Sequence, residues 1–283
     1  FTDLYQLYRL DTLAQDPTLF THMSPEVGPS AREETLAGLE ANIFDNNDDY
    51  REIFTTRKTT LNRTLAAIYN VPAPSREGFA WTELPKDSKR VGLLGQTSFL
   101  ALNSHPVSTS ATLRGMFVRE VLLCHRVPPP PSGVDASIPE PSSDAPTLRD
   151  RVKVHLEDDF CASCHVITDP VGLSFEQFDA IGRIRTHEHN TRIDPSGDLD
   201  GIPFSDARGL SEALRDHEDL GPCLVEYLHT YATGHEVAPG EEEAAEWLSE
   251  EFDADRFRIR KLLKTMVMNP SFRKTSPVSD VLP

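Results

Sequence analysis

Two cysteines and a histidine stand together just past the middle of the chain, in the run Cys161-Ala-Ser-Cys164-His165. Two thiols three residues apart project from one face of a helix, where they can add to the two vinyl groups of one porphyrin. The histidine that follows directly then places its imidazole under the iron. The spacing therefore predicts one covalently attached haem, with Cys161 and Cys164 as attachment sites and His165 as the proximal iron ligand.

A zinc half-site and a thiol redox pair are the main alternative interpretations of this run. Zinc needs two further thiol or imidazole ligands at a suitable spacing, and the sequence has no second C-x-x-C run. A thioredoxin-like redox pair belongs in a βαβ setting, which the pattern of predicted elements does not provide. Haem attachment is the better supported interpretation.

The iron ligand opposite His165 decides what the haem does. Methionine or histidine there makes an electron-transfer centre, whereas an open position permits peroxide or oxygen chemistry. The candidates are His105, Met116, Met266 and Met268. His105 stands in a predicted loop, and the methionines lie on predicted helices, where methionine also fills core space. The sequence leaves the choice open.

Two further polar clusters invite a metal interpretation. The imidazoles of His187 and His189 diverge at a spacing of two, and Asp194, Asp198 and Asp200 lack the closing glutamate of a calcium loop. A solvated loop and an ordinary turn are the favoured interpretations.

The elements that position the motif are predicted to be mainly α-helical, because helical periodicity recurs and strand patterning is sparse. The first helix is expected to be capped at Ser30, and Asp169-Pro170 is expected to end the motif helix. An apolar stripe of Leu113, Phe117 and Val121 is expected on one helix. Loops are predicted over 81–90 and 193–201. Further helices are predicted near 62–70, 112–124, 147–155, 208–217, 222–234, 241–252 and 256–268.

Seven prolines lie between Pro128 and Pro146, four of them consecutive. Such a segment cannot hold a helix, so residues 127–146 are predicted to form an extended connector at a domain boundary. An ordered loop wrapped on one domain is the alternative.

The formal net charge of −17 over 283 residues argues against a nucleic-acid partner, because that affinity depends on Lys and Arg. A cationic redox protein remains a suitable partner. Glu236 to Asp255 holds nine acidic residues, interpreted mainly as the solvated face of a helix. No apolar run approaches the roughly 20 residues of a membrane span, and the start lacks the regions of a signal peptide, so a fragment or a processed product is expected.

The two cysteines outside the motif, Cys124 and Cys223, are an even remainder. In an oxidising compartment they are expected to form one disulfide, with two buried free thiols as the alternative.

Residues well beyond the motif carry a family resemblance. The stretch from Cys161 through Asp169-Pro-Val-Gly172 to Phe175-Glu-Gln-Phe-Asp-Ala-Ile-Gly-Arg183 resembles the haem-binding core of large multi-domain cytochrome c-like proteins of planctomycetes and myxobacteria. Those proteins contain domains of unknown function 1592, 1588 and 1585. Other stretches resemble the same three domains in turn: Arg32–Glu34, Leu61-Asn62 and Tyr69; Gly92–Gly95, Thr109-Ser110, Arg114-Gly115 and Pro128–Pro131; Cys223, Tyr231-Ala232, Gly234 and Ser271–Arg273.

The resemblance implies a cytochrome c-like helical fold and three parts: the C-terminal part of a 1592-like domain over 1–75, a 1588-like domain with the motif over 76–190, and a 1585-like domain over 191–283. It implies one haem c, a periplasmic or extracellular location, and a redox protein or another haem subunit as partner. Electron transfer is the expected function. A haem-dependent oxidoreductase and a structural haem subunit are the alternatives. The chain departs from the family at Ala111 and at His235.

Overall fold

The structure is a computed structural model that describes residues 1–129, 138–157 and 159–273. This part is mainly α-helical, as the sequence predicts, and none of its helices has the length and apolar content to span a bilayer. The described helices are α1 (Val27–Glu40), α2 (Arg63–Tyr69), α3 (Thr97–Leu102), α4 (Ala111–Met116), α5 (Leu148–Arg151), α6 (Asp159–Gly172), α7 (Ala207–Arg215), α8 (Leu220–Thr233), α9 (Glu242–Ala254) and α10 (Ile259–Met268).

Short strands pair into two-stranded antiparallel sheets within the described residues. They are β1 (Lys58–Leu61) with β2 (Ala80–Glu83), β3 (His187–Glu188) with β4 (Thr191–Arg192), and β5 (Gly197–Leu199) with β6 (Ile202–Phe204). The loop predicted from Trp81 is therefore wrong at its start, because residues 80–83 pair with β1. The insertion over 193–201 likewise contains β5.

Side-chain caps begin several helices where the sequence changes from polar to apolar. The Asn62 side chain accepts a hydrogen bond from the Leu65 N–H at the start of α2. Thr147 and Asp150 form a reciprocal capping box at α5. The predicted cap at Ser30 is wrong, because α1 already begins at Val27 and the Ser30 hydroxyl accepts a hydrogen bond from the Asn62 amide at 2.7 Å.

The chain divides into two compact units. The first contains Phe1–Glu40 and Arg51–Leu220, and its core includes Phe99, whose ring packs against Phe117 at 5.1 Å and Phe175 at 4.9 Å between centroids. The second contains Ala41–Tyr50 and Gly221–Pro283, with buried side chains from α9 and α10. The three-part division predicted from the resemblance stays a prediction. Residues 130–137 of the predicted connector lie outside the described residues, and 138–146 contain no helix or strand.

Helices α4 and α6 touch through their backbones. A Cβ atom on Gly115 would lie 2.0 Å from the Thr168 carbonyl oxygen, and one on Gly172 would lie 1.7 Å from that of Ala111. Only glycine at these two positions allows so close an approach. The seam fixes α6, which carries the cysteine motif, against α4.

Two predictions about the segments next to this seam are wrong. Helix α6 continues through Pro170 to Gly172, so Asp169-Pro170 does not end it. A helical turn of the wider π type, Phe117–Leu122, follows α4 and shifts its buried face. Leu113 is consequently 36% exposed, and the predicted apolar stripe is wrong at that position.

Arg114 anchors the segment that follows α6. Its guanidinium is fully buried and donates hydrogen bonds to the carbonyl oxygens of Phe175 at 2.8 Å, Asp179 at 2.9 Å and Phe178 at 3.2 Å. The Glu176 carboxylate lies 3.8 Å away and compensates the charge. One side chain thus ties α4 to the chain beyond α6.

A second buried polar network lies around Glu34 on α1. The hydroxyls of Thr59 and Tyr69 each donate a hydrogen bond of 2.6 Å to its carboxylate. The Arg90 guanidinium lies 3.7 Å from the centre of the Tyr69 ring. Burial is the largest influence on the carboxyl group and raises the pKa of Glu34 to about 7.

Candidate functional site

The cysteine motif occupies the first two turns of α6. Cys161, Cys164 and His165 are all partly buried, and neither cysteine is in a disulfide. The spacing predicted from the sequence is therefore realised on one helix, with the two thiols and the imidazole close together. The elements that hold this helix are α4, through the glycine seam, and Arg114, through the segment beyond Gly172.

Asp169 orients the imidazole of His165 from one helical turn further along. The Nδ1 atom of His165 lies 2.9 Å from Oδ2 of Asp169, whose side chain is 5% exposed. The Thr112 hydroxyl of α4 donates a hydrogen bond of 3.0 Å to the other oxygen of the same carboxylate. A carboxylate that accepts a hydrogen bond from Nδ1 keeps the ring proton on that nitrogen. The lone pair of Nε2 is then available to a metal. His165 thus presents the nitrogen that a proximal iron ligand needs.

The thiol of Cys164 lies in surroundings that disfavour its ionisation. Burial, followed by the negative charges of Asp169 and Glu120, raises the pKa of the Cys164 thiol. Thiol redox sites instead lower a cysteine pKa with nearby positive charge or a helix N-terminus. Cys164 is therefore not the activated thiol of such a pair.

Exposed apolar side chains surround the motif. Val166 on α6 is 58% exposed, and Val154 and Leu156, on the short helical segment Val152–Leu156 that precedes α6, are 41% and 46% exposed. These three side chains offer apolar surface that a flat apolar group beside the motif could contact. A porphyrin ring attached to Cys161 and Cys164 is of that chemical kind, so these surroundings fit the predicted group.

The ring that packs on His165 belongs to His155, a residue that the sequence analysis did not name. Its centroid lies 4.3 Å from that of His165, with an angle of 48° between the planes. Both nitrogens of the His155 ring are shielded from solvent. The signal available in the sequence was an imidazole ten residues before His165, between Val154 and Leu156. The site thus holds two imidazoles rather than one.

The four candidates for the opposite iron ligand lie in different places, and one of them, Met268, is 61% exposed at the end of α10. His105 is exposed in a loop, and Met116 is partly buried on α4, the helix packed against α6. Met266 is 1% exposed in the second unit. Which of them, if any, binds iron stays a prediction.

The cysteines outside the motif, Cys124 and Cys223, are disulfide-bonded. The disulfide expected from the even remainder of cysteines is therefore present.

Within residues 1–129, 138–157 and 159–273, no group of three or more His, Cys, Asp or Glu side chains is arranged to hold a metal ion. His187 lies on β3, where it pairs with Arg192, and His189 lies in the turn between β3 and β4.

A cleft of about 760 Å³ opens in the first unit and is lined by His105, His187 and His189 together with apolar side chains. Arg151 also lines it and is paired with Glu188 at 2.6 Å. Because Arg151 is four residues before His155 in continuous helical structure, the cleft and the motif are linked by a little over one helical turn.

The chain is thus a mainly α-helical protein that carries a C-x-x-C-H motif on a helix fixed by its neighbours. Three family models match it in succession, each described as a protein of unknown function: DUF1592 over residues 1–71, DUF1588 over 90–188 and DUF1585 over 200–272. This is the domain content that the resemblance predicted, and the motif lies in the DUF1588 segment, whose model has the short name PSCyt3. No curated protein and no solved structure matches the chain.

Proposed function

We propose that this chain carries one haem c, attached through Cys161 and Cys164, and transfers electrons in the cell envelope or outside the cell. The observation that carries the proposal is the hydrogen bond between His165 Nδ1 and Asp169, which leaves Nε2 available beside the two cysteine side chains of the same helix. The short name PSCyt3 supports a cytochrome-like family. When bound, the haem supplies one-electron chemistry through its iron.

Different residues of the site would hold different parts of the haem. Each thiol adds across one vinyl group of the porphyrin, which forms a carbon–sulfur bond and transfers the thiol hydrogen to the vinyl carbon, so no oxidant is needed. His165 would hold the iron, and Asp169 fixes the direction of its ring through the contact with Nδ1. Val154, Leu156 and Val166 would offer exposed apolar surface to the macrocycle.

A location outside the cytoplasm is part of the same proposal. Attachment of haem to such a motif takes place there in the proteins that this chain resembles. The disulfide-bonded Cys124 and Cys223 support an oxidising compartment. A cationic redox protein is the partner that suits a net charge of −17.

A haem-dependent oxidoreductase is the second candidate function, and the cleft of about 760 Å³ favours it. A cleft of this size accommodates a small substrate. Its wall contains Arg151, and the same helical segment continues to His155 at the motif. In this second function the haem accepts electrons from a substrate held in the cleft.

The test is production of the chain in a bacterial periplasm together with a haem-attachment system. We expect haem that remains bound on a denaturing gel and one haem per chain in alkaline pyridine. The double variant Cys161→Ala, Cys164→Ala is expected to lose it, and the matched variant Ser163→Ala, in the same turn, is expected to keep it. Covalent haem on the double variant, or none on the unaltered chain, would overturn the proposal.

Carbon monoxide separates the two candidate functions. An iron with both axial positions filled by protein ligands does not bind carbon monoxide readily in the reduced state, whereas an open position does. Slow or absent binding supports electron transfer, and rapid binding supports the oxidoreductase.

A further inference from the structure

We propose that Asp169, held in place by Thr112, acts through His165 to lower the reduction potential of the haem. The inference rests on the proposed haem attachment and deepens it, because a low potential makes the reduced site a donor of electrons to its partner. Asp169 and Thr112 are positioning residues, since they act on the proposed iron ligand and not on the iron. The family models assign no role to either residue.

The group that faces Nδ1 of His165 is an acid. Nδ1 lies 2.9 Å from Oδ2 of Asp169, and the two side chains are 16% and 5% exposed. A metal-bound imidazole donates its second N–H to a carbonyl oxygen, to water or to a carboxylate, and only the carboxylate carries a full negative charge. An imidazole that shares its proton with a carboxylate is a stronger electron donor to a metal. It therefore stabilises the oxidised iron relative to the reduced iron.

The negative charge of Asp169 is not neutralised by a basic side chain. Among residues 1–129, 138–157 and 159–273, no Lys or Arg side chain lies within 4.0 Å of this carboxylate. Its other contacts are hydroxyl groups: Thr112 donates a hydrogen bond of 3.0 Å to Oδ1, and the Thr168 hydroxyl lies 3.4 Å from the same atom. Hydroxyl groups disperse part of the charge without cancelling it, so the charge acts mainly on His165.

A second acid adds to the negative surroundings of the motif. Asp169 and Glu120 both contribute, after burial, to the raised pKa of the Cys164 thiol, so both carboxylates act on the helix that carries the attachment sites. Ferric iron carries one more positive charge than ferrous iron, and a nearby negative charge therefore favours the ferric state. The two acids act in the same direction.

The glycine seam keeps Asp169 from turning away. Thr168, the residue before it, has its carbonyl oxygen against Gly115, which lies three residues after Thr112 on α4. The hydrogen bond between Thr112 and Asp169 thus lies beside the seam and joins two helices whose separation is fixed. A carboxylate held in this way needs no rearrangement when the charge of the iron changes.

The first experiment is a redox titration of the haem-loaded chain and its variants. Asp169→Asn keeps an oxygen for Nδ1 and removes the charge, so its potential is expected to rise. At a fixed ambient potential, its ratio of oxidised to reduced haem is expected to fall about tenfold, the scale of one unit charge at a partly buried site. Thr112→Val removes the hydroxyl that disperses the charge, so its potential is expected to fall.

Two controls separate this effect from a purely structural one. Thr112→Ser keeps the hydroxyl and is expected to have the potential of the unaltered chain. Ser110→Ala removes the side-chain cap of α4 without contact to Asp169, and its potential is also expected to be unchanged. Loss of structure alone does not shift the potential in opposite directions for Asp169→Asn and Thr112→Val. An unchanged potential in Asp169→Asn, or equal potentials in Thr112→Val and Ser110→Ala, would overturn the inference.

Nuclear magnetic resonance on the haem-free full chain tests the same contact without haem. At about pH 8.5, where ordinary histidine side chains are neutral, the nitrogen shifts of His165 are expected to show the proton on Nδ1. Asp169→Ala is expected to lose this preference. A proton on Nε2 of the unaltered chain contradicts the inference. Absence of covalent haem from the unaltered chain, with the proton on Nδ1, contradicts the proposed function instead, so the two failures are distinguishable.

Discussion

Glu34 makes the stability of the first unit depend on pH. Its carboxylate is fully buried on α1, and burial raises its pKa to about 7, against 4.5 for an ordinary glutamate. The folded chain therefore binds a proton at this position more tightly than the unfolded chain does. As the pH rises from about 4.5 to about 7, the unfolded state loses its proton first, and the free energy of unfolding falls.

The magnitude follows from the two pKa values. Each unit of difference corresponds to about 1.4 kcal/mol, so the contribution of Glu34 declines by about 3 kcal/mol across this range and is constant above it. The variant Glu34→Gln has a neutral side chain of similar shape at every pH and lacks this decline. Between pH 4.5 and pH 8, the free energy of unfolding of the unaltered chain is therefore expected to fall by about 3 kcal/mol more than that of Glu34→Gln.

Urea unfolding followed by far-ultraviolet circular dichroism measures this difference at half-unit steps from pH 4.5 to 8. Contributions of other titrating groups cancel because they are present in both proteins. Glu33→Gln, at the exposed neighbouring position, is the matched control, and its stability is expected to follow that of the unaltered chain. If the curves for Glu34→Gln and the unaltered chain stay parallel across the whole range, the argument from burial is wrong.

Three further predictions concern the frame of the site and its thiols. Gly172→Ala is expected to lower the free energy of unfolding by about 1–3 kcal/mol, because its Cβ would meet the Ala111 carbonyl oxygen. The control Gly38→Ala is not expected to lower it, because the nearest atom to a Cβ there is 4.0 Å away. Arg114→Met is expected to cost about 3–5 kcal/mol in urea unfolding, against less than about 0.5 kcal/mol for the exposed Arg183→Met. Alkylation of the denatured, unreduced chain is expected to label two thiols without haem and none with it; labelling of Cys124 or Cys223 would contradict the disulfide.

Local signals predicted the helices well where the chain supplies its own caps. Asn62 at the start of α2 and Thr147 at the start of α5 bind backbone groups three residues away, so the information lies within one helical turn. The strand β2 could not be predicted in the same way, because its partner β1 lies about twenty residues earlier and only their pairing makes either a strand.

One wrong prediction concealed part of the site. Because Asp169-Pro170 was expected to end the helix, Asp169 was not considered as a partner of His165, although a spacing of four on a helix brings such side chains together. The helix continues through Pro170 to Gly172, although proline removes one backbone hydrogen bond from a helix interior. The contact between His155 and His165, in contrast, depends on how two consecutive segments fold against each other, which periodicity does not reveal.

If the chain carries the proposed haem, the glycine seam between α4 and α6 bears on the speed of electron transfer. Interdigitated side chains can repack when the charge of a nearby group changes, but a carbonyl oxygen against the backbone of Gly115 or Gly172 has no alternative arrangement close by. Helix α6 is therefore expected to keep its position when the iron gains or loses an electron. A small structural rearrangement accompanying each oxidation or reduction leaves a low barrier to transfer, which suits a protein that passes single electrons to a partner and returns unchanged.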